Sequence, residues 1–116
     1  MNLSLVFPAL NEEANIEQTV RNALQYLEGK AGEVVIVDDG SQDQTASIAV
    51  GLAKAHPGRI ELVIHPVTLG YAAALRDGFQ AAKGDWIFYS DADNQFDMRE
   101  IDLLLPLCQG ADMVVG

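Results

Sequence analysis

Cysteine is nearly absent: Cys108 is the only one in 116 residues. No disulfide framework and no cysteine-rich zinc site can form, and the chain suits a reducing compartment. Cationic side chains are also scarce. Seven Lys and Arg face seventeen Asp and Glu, a formal net charge of −10, which repels nucleic-acid backbones and anionic membrane surfaces. No nucleic-acid partner is expected. No run approaches the roughly 20 apolar residues that span a bilayer. The start, Met1-Asn2-Leu3-Ser4, lacks the basic region and long apolar stretch of an export signal. The expected location is cytoplasmic. Two nucleotide signatures are missing as well: no Gly-x-Gly-x-x-Gly follows the first apolar run, and there is no Gly-x-x-x-x-Gly-Lys-Ser/Thr. No Ser or Cys nucleophile stands with a plausible His base. His56 and His65 fall near the third apolar run and read as surface residues, and Cys108 reads as core.

What is present is a composition 49% hydrophobic and 21% charged, ordinary for a globular chain of one domain. Five short runs rich in β-branched or aromatic residues read as buried strands: Leu3 to Phe7, Val34 to Val37, Ile60 to Ile64, Trp86 to Tyr89 and Met113 to Val115. Four segments of helical period lie between them. The first carries Ile16, Val20, Ala23, Leu24 and Leu27, with Asn11 placed to cap and Glu12 and Glu13 suited to the positive end of the helix dipole. The second opens on Ser41-Gln42-Asp43-Gln44, a capping-box pattern. The third presents Tyr71, Leu75, Gly78, Phe79 and Ala82, starting after Gly70 and stopping before Gly84, and its small residues allow a close approach to whatever it covers. The fourth, about Met98 to Cys108, is kinked or ended by Pro106.

Strand and helix alternate throughout, which argues for an α/β fold: a mainly parallel sheet with right-handed crossovers and helices on both faces. The alternation of Ile60, Leu62 and Ile64 with Glu61, Val63 and His65 puts the third strand near an edge. Residues 1–116 form a single domain, and the apolar finish, Asp112 to Gly116, suggests that it is truncated at its C-terminus.

Open α/β sheets bind ligands at the carboxyl ends of their strands. Seven of the seventeen acids, Glu12, Glu13, Asp38, Asp39, Asp91, Asp93 and Asp97, fall in the loops at that rim, and these loops hold no Lys, Arg or His. Such a rim calls for a cation. In an extended segment the carboxylates of Asp91 and Asp93, at i and i+2, have Cα atoms roughly 7 Å apart and point the same way. One hard cation, Mg²⁺ or Mn²⁺, fits between them and keeps waters or phosphate oxygens as further ligands. Asp38 and Asp39 repel unless one of them meets a donor. An N–H-bearing ligand would supply it; if Asp39 reads a base, uracil and guanine offer the ring N–H, whereas cytosine and adenine offer an acceptor there.

The succession Phe7-Pro8-Ala9-Leu10-Asn11-Glu12-Glu13, Val35-Ile36-Val37-Asp38-Asp39-Gly40-Ser41, Leu69-Gly70-Tyr71 through Gly78, Ala82-Lys83-Gly84-Asp85-Trp86 and Asp91-Ala92-Asp93-Asn94-Gln95-Phe96-Asp97 resembles glycosyltransferase family 2. It is most similar to the branch of dolichol-phosphate mannose synthase and other polyprenyl-phosphate glycosyltransferases. The resemblance implies a Rossmann-like GT-A fold, of which these residues form the part that binds the nucleotide-sugar donor. It implies that Pro8 and Glu12 border base and ribose, and that Val37 and Asp39 hold the base. Asp91, Ala92 and Asp93 would form the Asp-x-Asp motif, with Asp91 and Asp93 as metal ligands, and Gln95 would lie near the donor sugar or diphosphate. Arg76 is a weaker candidate for pairing with these acids. Leu10 stands where the family often has an aromatic residue, and Thr68 where it often has asparagine. The implied reaction is inverting, metal-assisted transfer from a UDP- or GDP-sugar to an acceptor. That acceptor would be lipid-linked, or another hydroxyl or phosphate, and reached through a missing C-terminal part. No catalytic residue is expected before Gly116, the base lying beyond it, and the longer protein is expected at the cytoplasmic face of a membrane. Two alternatives weighed against this are a magnesium-dependent phosphotransferase of haloacid dehalogenase type and a non-catalytic nucleotide-sugar or metal-binding module. The first places its Asp-x-Asp after the first strand, and receiver-like modules want their acidic pair there too.

Overall fold

The structure, a computed structural model, describes residues 2–93 and 101–102. Four strands and three helices alternate: β1 (Leu3–Ala9), α1 (Ile16–Tyr26), β2 (Gly32–Asp38), α2 (Thr45–Ala55), β3 (Ile60–Ile64), α3 (Tyr71–Ala81) and β4 (Trp86–Tyr89). The strands form one sheet in the order β3-β2-β1-β4, and every pairing is parallel. β3 stands at an edge, as its alternating pattern implies. The fifth apolar run, Pro106 and Cys108 lie outside the described residues. Of the expected fourth helix, Ile101 and Asp102 are described and helical; Ile101 is fully buried in the core.

Period-2 alternation sorts the strand residues onto two faces. Leu3, Leu5 and Phe7 of β1 and Val34 and Ile36 of β2 face α1 and α2, packing on Ile16, Val20, Ala23, Leu27, Ala49 and Leu52. Val6, Val35 and Val37 face α3 and meet Ala74. α3 lies close because residue 78 is glycine: a Cβ there would stand 2.6 Å from Val6 Cγ1 and 3.1 Å from Val37 Cγ2. This is the close approach expected of that small-residue helix.

The chain steps from β1 to β2 to β3 in one direction, then crosses back to β4 on the far side of β1. Right-handed crossovers therefore put α1 and α2 on one face and α3 on the other. The reversal leaves a crevice between the carboxyl ends of β1 and β4, the place where doubly wound sheets bind ligands. Residues following β1 and β4 are thereby brought side by side.

Candidate functional site

Two of the rim loops are stitched to each other, which corrects two capping expectations. Asn11 does not cap α1. It takes a left-handed conformation, φ 53°, which asparagine tolerates better than most residues, and its side-chain oxygen accepts from Gln42 N–H at 2.8 Å. The residue preceding α1 is Asn15, with no side-chain cap bond. Ser41 does not cap α2, which starts four residues later; its Oγ accepts from Asn11 N–H at 2.9 Å. Thr45 Oγ1 accepts from Glu12 N–H at 2.8 Å, Asp43 from Glu13 N–H at 3.2 Å, and Glu13 from Gln44 N–H at 3.1 Å. Part of the polar content of these motifs is thus spent on fixing one loop against the other.

Two buried acids stand at the end of β2, Asp38 as its last residue and Asp39 directly after it, and they part company because successive side chains point to opposite faces. Asp38 continues the row of Val34 and Ile36, is 1% exposed, and its Oδ1 has no hydrogen-bond partner among the described residues. Asp39 continues the row of Val35 and Val37 towards α3. Its donors come from the protein. Oδ1 accepts from Leu69 N–H at 2.8 Å and lies 2.8 Å from His65 Nδ1, and Oδ2 accepts from Gly70 N–H at 3.1 Å. The donor expected from a ligand is thus already supplied at Asp39 by the protein: the chain after β3 folds back and brings three.

His65 is the residue that sequence reasoning misplaced. It is buried, 6% exposed, with Nδ1 on Asp39 and Nε2 2.7 Å from Asp77 Oδ2. Its backbone N–H also bonds Asp38 O at 2.8 Å. The polar side of β3 that holds Glu61, Val63 and His65 faces α3, and Val63 packs there against the core. The available signal was position, since His65 directly follows β3 and so stands on the same rim as the acids. Arg76 pairs with Asp77, Nε to Oδ1 at 3.1 Å. His56 is half-buried where α2 ends, at the opposite rim.

The bond to Asp39 raises the His65 pKa above its ordinary 6.5, burial opposes this, and the bond to Asp77 adds to it. Burial pushes Asp39 upward, but the bonds from His65, Leu69 and Gly70 together outweigh it and leave the carboxyl below its ordinary 3.8. Asp77 is likewise lowered, first by His65 and then by Arg76. A base whose folded pKa is raised adds stability that is complete below about 6.5 and is lost as pH rises through the raised value. The two acids, with folded values depressed, add stability above about 3.8 that is lost as pH falls through those lower values. Calorimetric melting of the chain should therefore be highest between about pH 4 and 6.5 and fall on the alkaline side as His65 titrates. A melting temperature unchanged from pH 6 to 9 would contradict the clamp.

Beyond β4, Ala92 is 1% exposed and belongs to the core. Burying the middle residue fixes the backbone that carries its two neighbours, Asp91 exposed and Asp93 half-buried. Of Ala92, therefore, only the backbone is available to a ligand. Burial first, then the neighbouring Asp91 carboxylate, pushes the Tyr71 pKa up to about 12. Pro8 and Val37 are buried and paired in register, so Val37 too can offer a ligand its backbone but not its side chain. Glu12 is half-buried and accepts from Asn15 Nδ2 at 3.2 Å. Leu10 is exposed. Gln95 and Asp97 lie outside the described residues. Among those described, no three His, Cys, Asp or Glu side chains gather to hold a metal ion. Asp91 and Asp93 still suit a hard cation whose remaining ligands come from water or a bound phosphate.

A parallel, doubly wound sheet carries acids at the carboxyl ends of β1, β2 and β4, the rim where α/β domains of this kind take their ligands, and its structural neighbours are glycosyltransferases of GT-A fold. The model of glycosyl transferase family 2 matches residues 4–116, and the chain belongs to that family. The match displaces the haloacid dehalogenase alternative. The chain is 39% identical over 109 residues to the glycosyltransferase AglD of Haloferax volcanii, covering 90% of this chain and 17% of that protein. It is 36% identical over 115 residues to an undecaprenyl-phosphate 4-deoxy-4-formamido-L-arabinose transferase of Pseudomonas aeruginosa, covering 97% and 34%. Among solved structures it superimposes on the mannosyltransferase PcManGT of Pyrobaculum calidifontis in complex with GDP-Man and Mn²⁺ (TM-score 0.78, 29% identity, 97% and 33% covered). It also superimposes on glucosyl-3-phosphoglycerate synthase of Mycobacterium tuberculosis in complex with Mn²⁺, UDP and glucosyl-3-phosphoglycerate (0.73, 30%, 94% and 40%). The chain spans about a third or less of the length of the two curated relatives.

Proposed function

We propose that this chain is the donor-binding part of a glycosyltransferase that moves a sugar from a UDP- or GDP-sugar to a polyprenyl phosphate with inversion. The observation that carries the reading is the placement of Asp39 and of Asp91 and Asp93 at the carboxyl ends of β2 and β4, on either side of β1. Two strand spacings separate those ends, about 10 Å, a span that suits a nucleoside diphosphate lying across the end of β1. Asp39 would accept the ring N–H of uracil or guanine. Its Oδ2 carries a single bond, from Gly70, and a carboxylate oxygen has room for two. The Val37 backbone would line the base, and Pro8 and Glu12, on the neighbouring loop, would border base and ribose.

Asp91 and Asp93 would hold Mg²⁺ or Mn²⁺, with the Ala92 backbone and Gln95 beside the donor. Once bound, such an ion neutralises the charge that grows on the departing nucleoside diphosphate. Mn²⁺ in the two solved neighbours supports a divalent cation, and one neighbour's UDP and the other's GDP-Man leave both donor bases open. The relative that acts on undecaprenyl phosphate supports the acceptor class. A phosphate acceptor is already ionised and needs less help from a base than a hydroxyl would. We place that base, and any membrane contact at a cytoplasmic face, outside residues 1–116. Among the described residues no helix is long and apolar enough to cross a membrane.

The test is thermal denaturation with UDP or GDP, with and without Mn²⁺ or Mg²⁺. At a hundredfold excess over Kd the expected stabilisation is about 2.7 kcal/mol, roughly 10 °C or more for a domain of this size. The shift should require the metal. An equal shift in the presence of chelator rules out a metal bridge, and no shift with either nucleotide rules out the donor site.

A further inference from the structure

We infer that His65 is a positioning residue for donor binding: clamped between Asp39 and Asp77, its doubly protonated ring fixes the Asp39 carboxylate that receives the base. The inference rests on the reading of Asp39 as base acceptor and adds a residue, and a pH dependence, which that reading lacks. Both ring nitrogens face carboxylate oxygens, at 2.8 and 2.7 Å, and a carboxylate can only accept. Only the imidazolium donates through both nitrogens, whereas either neutral tautomer turns a lone pair towards one of the acids.

The titratable groups around the ring are few. β2 contributes Asp39, and α3 contributes Asp77 with Arg76 bound behind it. α2 also packs on β3, but Lys54 is its only charged residue and lies in its last turn, at the opposite end of the sheet from His65. The ring therefore sits in a local excess of negative charge that Arg76 only partly offsets.

The coupling to the donor runs through Asp39. Oδ1 is shared by His65 and Leu69 N–H, and Oδ2 takes Gly70 N–H, so the carboxylate plane is held from two sides and the open position on Oδ2 keeps one direction. When His65 loses its proton, one of the two acids faces a lone pair and must turn or recruit water. Asp39 turning misdirects Oδ2, and Asp77 turning frees the ring to move. In both cases nucleotide affinity falls as pH rises through the His65 midpoint, the sense opposite to that expected if a group on the nucleotide had to lose a proton.

The experiment has two readouts on the chain. NMR of the imidazole nitrogens gives the His65 midpoint without nucleotide; it should lie above 6.5, with both nitrogens protonated at neutral pH. Calorimetric titration with UDP and GDP in Mg²⁺ from pH 6 to 9 should show affinity falling about tenfold or more across that same midpoint, the size expected for one charge-assisted hydrogen bond. Asp77→Asn removes a carboxylate from the side away from the donor, so it should lower the His65 midpoint and carry the break in affinity down with it. A purely structural histidine would not produce that parallel shift. His65→Asn puts an amide donor where Nδ1 stands and should bind with little pH dependence, whereas His65→Ala should be weak throughout. If His65→Ala fails to fold, Asp77→Asn, altered at a partly exposed side chain, still decides the matter. Affinity flat across the His65 titration, or a break that Asp77→Asn leaves in place, overturns the inference alone. No binding of either nucleotide at any pH overturns the base-acceptor reading, and the inference with it.

Discussion

Gly40→Ala should unfold the domain roughly 15 °C earlier than the native chain and loosen the segment that holds Asp39. Residue 40 sits at φ 74°, a left-handed conformation that costs a residue with a Cβ about 1–2 kcal/mol. A Cβ there would also lie 2.5 Å from Thr68 N and 2.5 Å from Val67 C. These are backbone atoms, which cannot swing aside as the end of a side chain can, so overpacking adds about 1–3 kcal/mol. The sum, about 2–5 kcal/mol, is a large fraction of the 5–15 kcal/mol typical of a folded domain. Gly58→Ala supplies the control. Gly58 has a similar φ, 80°, with nothing within 4 Å of its would-be Cβ, so it bears only the conformational cost, and the difference between the two variants reads the contact with residues 67 and 68. The same contact reaches the site. Displacing Thr68 moves Leu69 and Gly70, whose amides bond Asp39, so these amides should exchange with solvent faster in Gly40→Ala than in Gly58→Ala. Equal melting temperatures for the two variants would refute the packing argument.

Asp93→Ala should abolish the metal-dependent stabilisation by UDP or GDP, a loss of at least a hundredfold in affinity, while shifting the melting of the unliganded chain by only about 1 kcal/mol. The fold should tolerate the change because the anchor of this loop is its neighbour: Ala92 is buried in the core, while Asp93 is half-buried. The affinity should not tolerate it, because a hard cation offered one carboxylate in place of two loses half its protein charge. Asp91→Ala should weaken binding too, and it also removes the negative charge that helps to hold the Tyr71 pKa up, so the tyrosine should then ionise at lower pH. Calorimetry with Mn²⁺ and nucleotide checks both variants. Retained affinity in Asp93→Ala would show that this residue is no ligand of the ion.

The elements of the fold were legible because their signals are local. Ile60–Ile64 and Trp86–Tyr89 were bounded correctly from β-branched and aromatic residues alone, and α3 starts after Gly70 as its spacing implied but ends at Ala81, short of Gly84. Caps were less legible. Asn11 and Ser41 are capping residues by type, but each was drawn into bonds with the other's loop, thirty residues away in sequence. A side-chain oxygen goes to whichever donor the fold brings near it, and composition cannot say which donor that will be.

The candidate site divides the same way. The acids at the ends of β1, β2 and β4 could be read as a rim from the order of the elements, because parallel strands put all their carboxyl ends on one side. The single cysteine and the excess of acidic over basic side chains, which set the expectation of no disulfide framework and no nucleic-acid partner, are read without reference to any structure. What only the tertiary structure decided is how those acids are partnered. His65 read as a surface residue, whereas α3 covers its face of β3, and the donor that Asp39 was expected to take from a ligand comes from the chain after β3. The reason is physical: strand period and charge are properties of neighbours along the chain, whereas the partner of a buried charge is set by a crossover that returns from the far edge of the sheet.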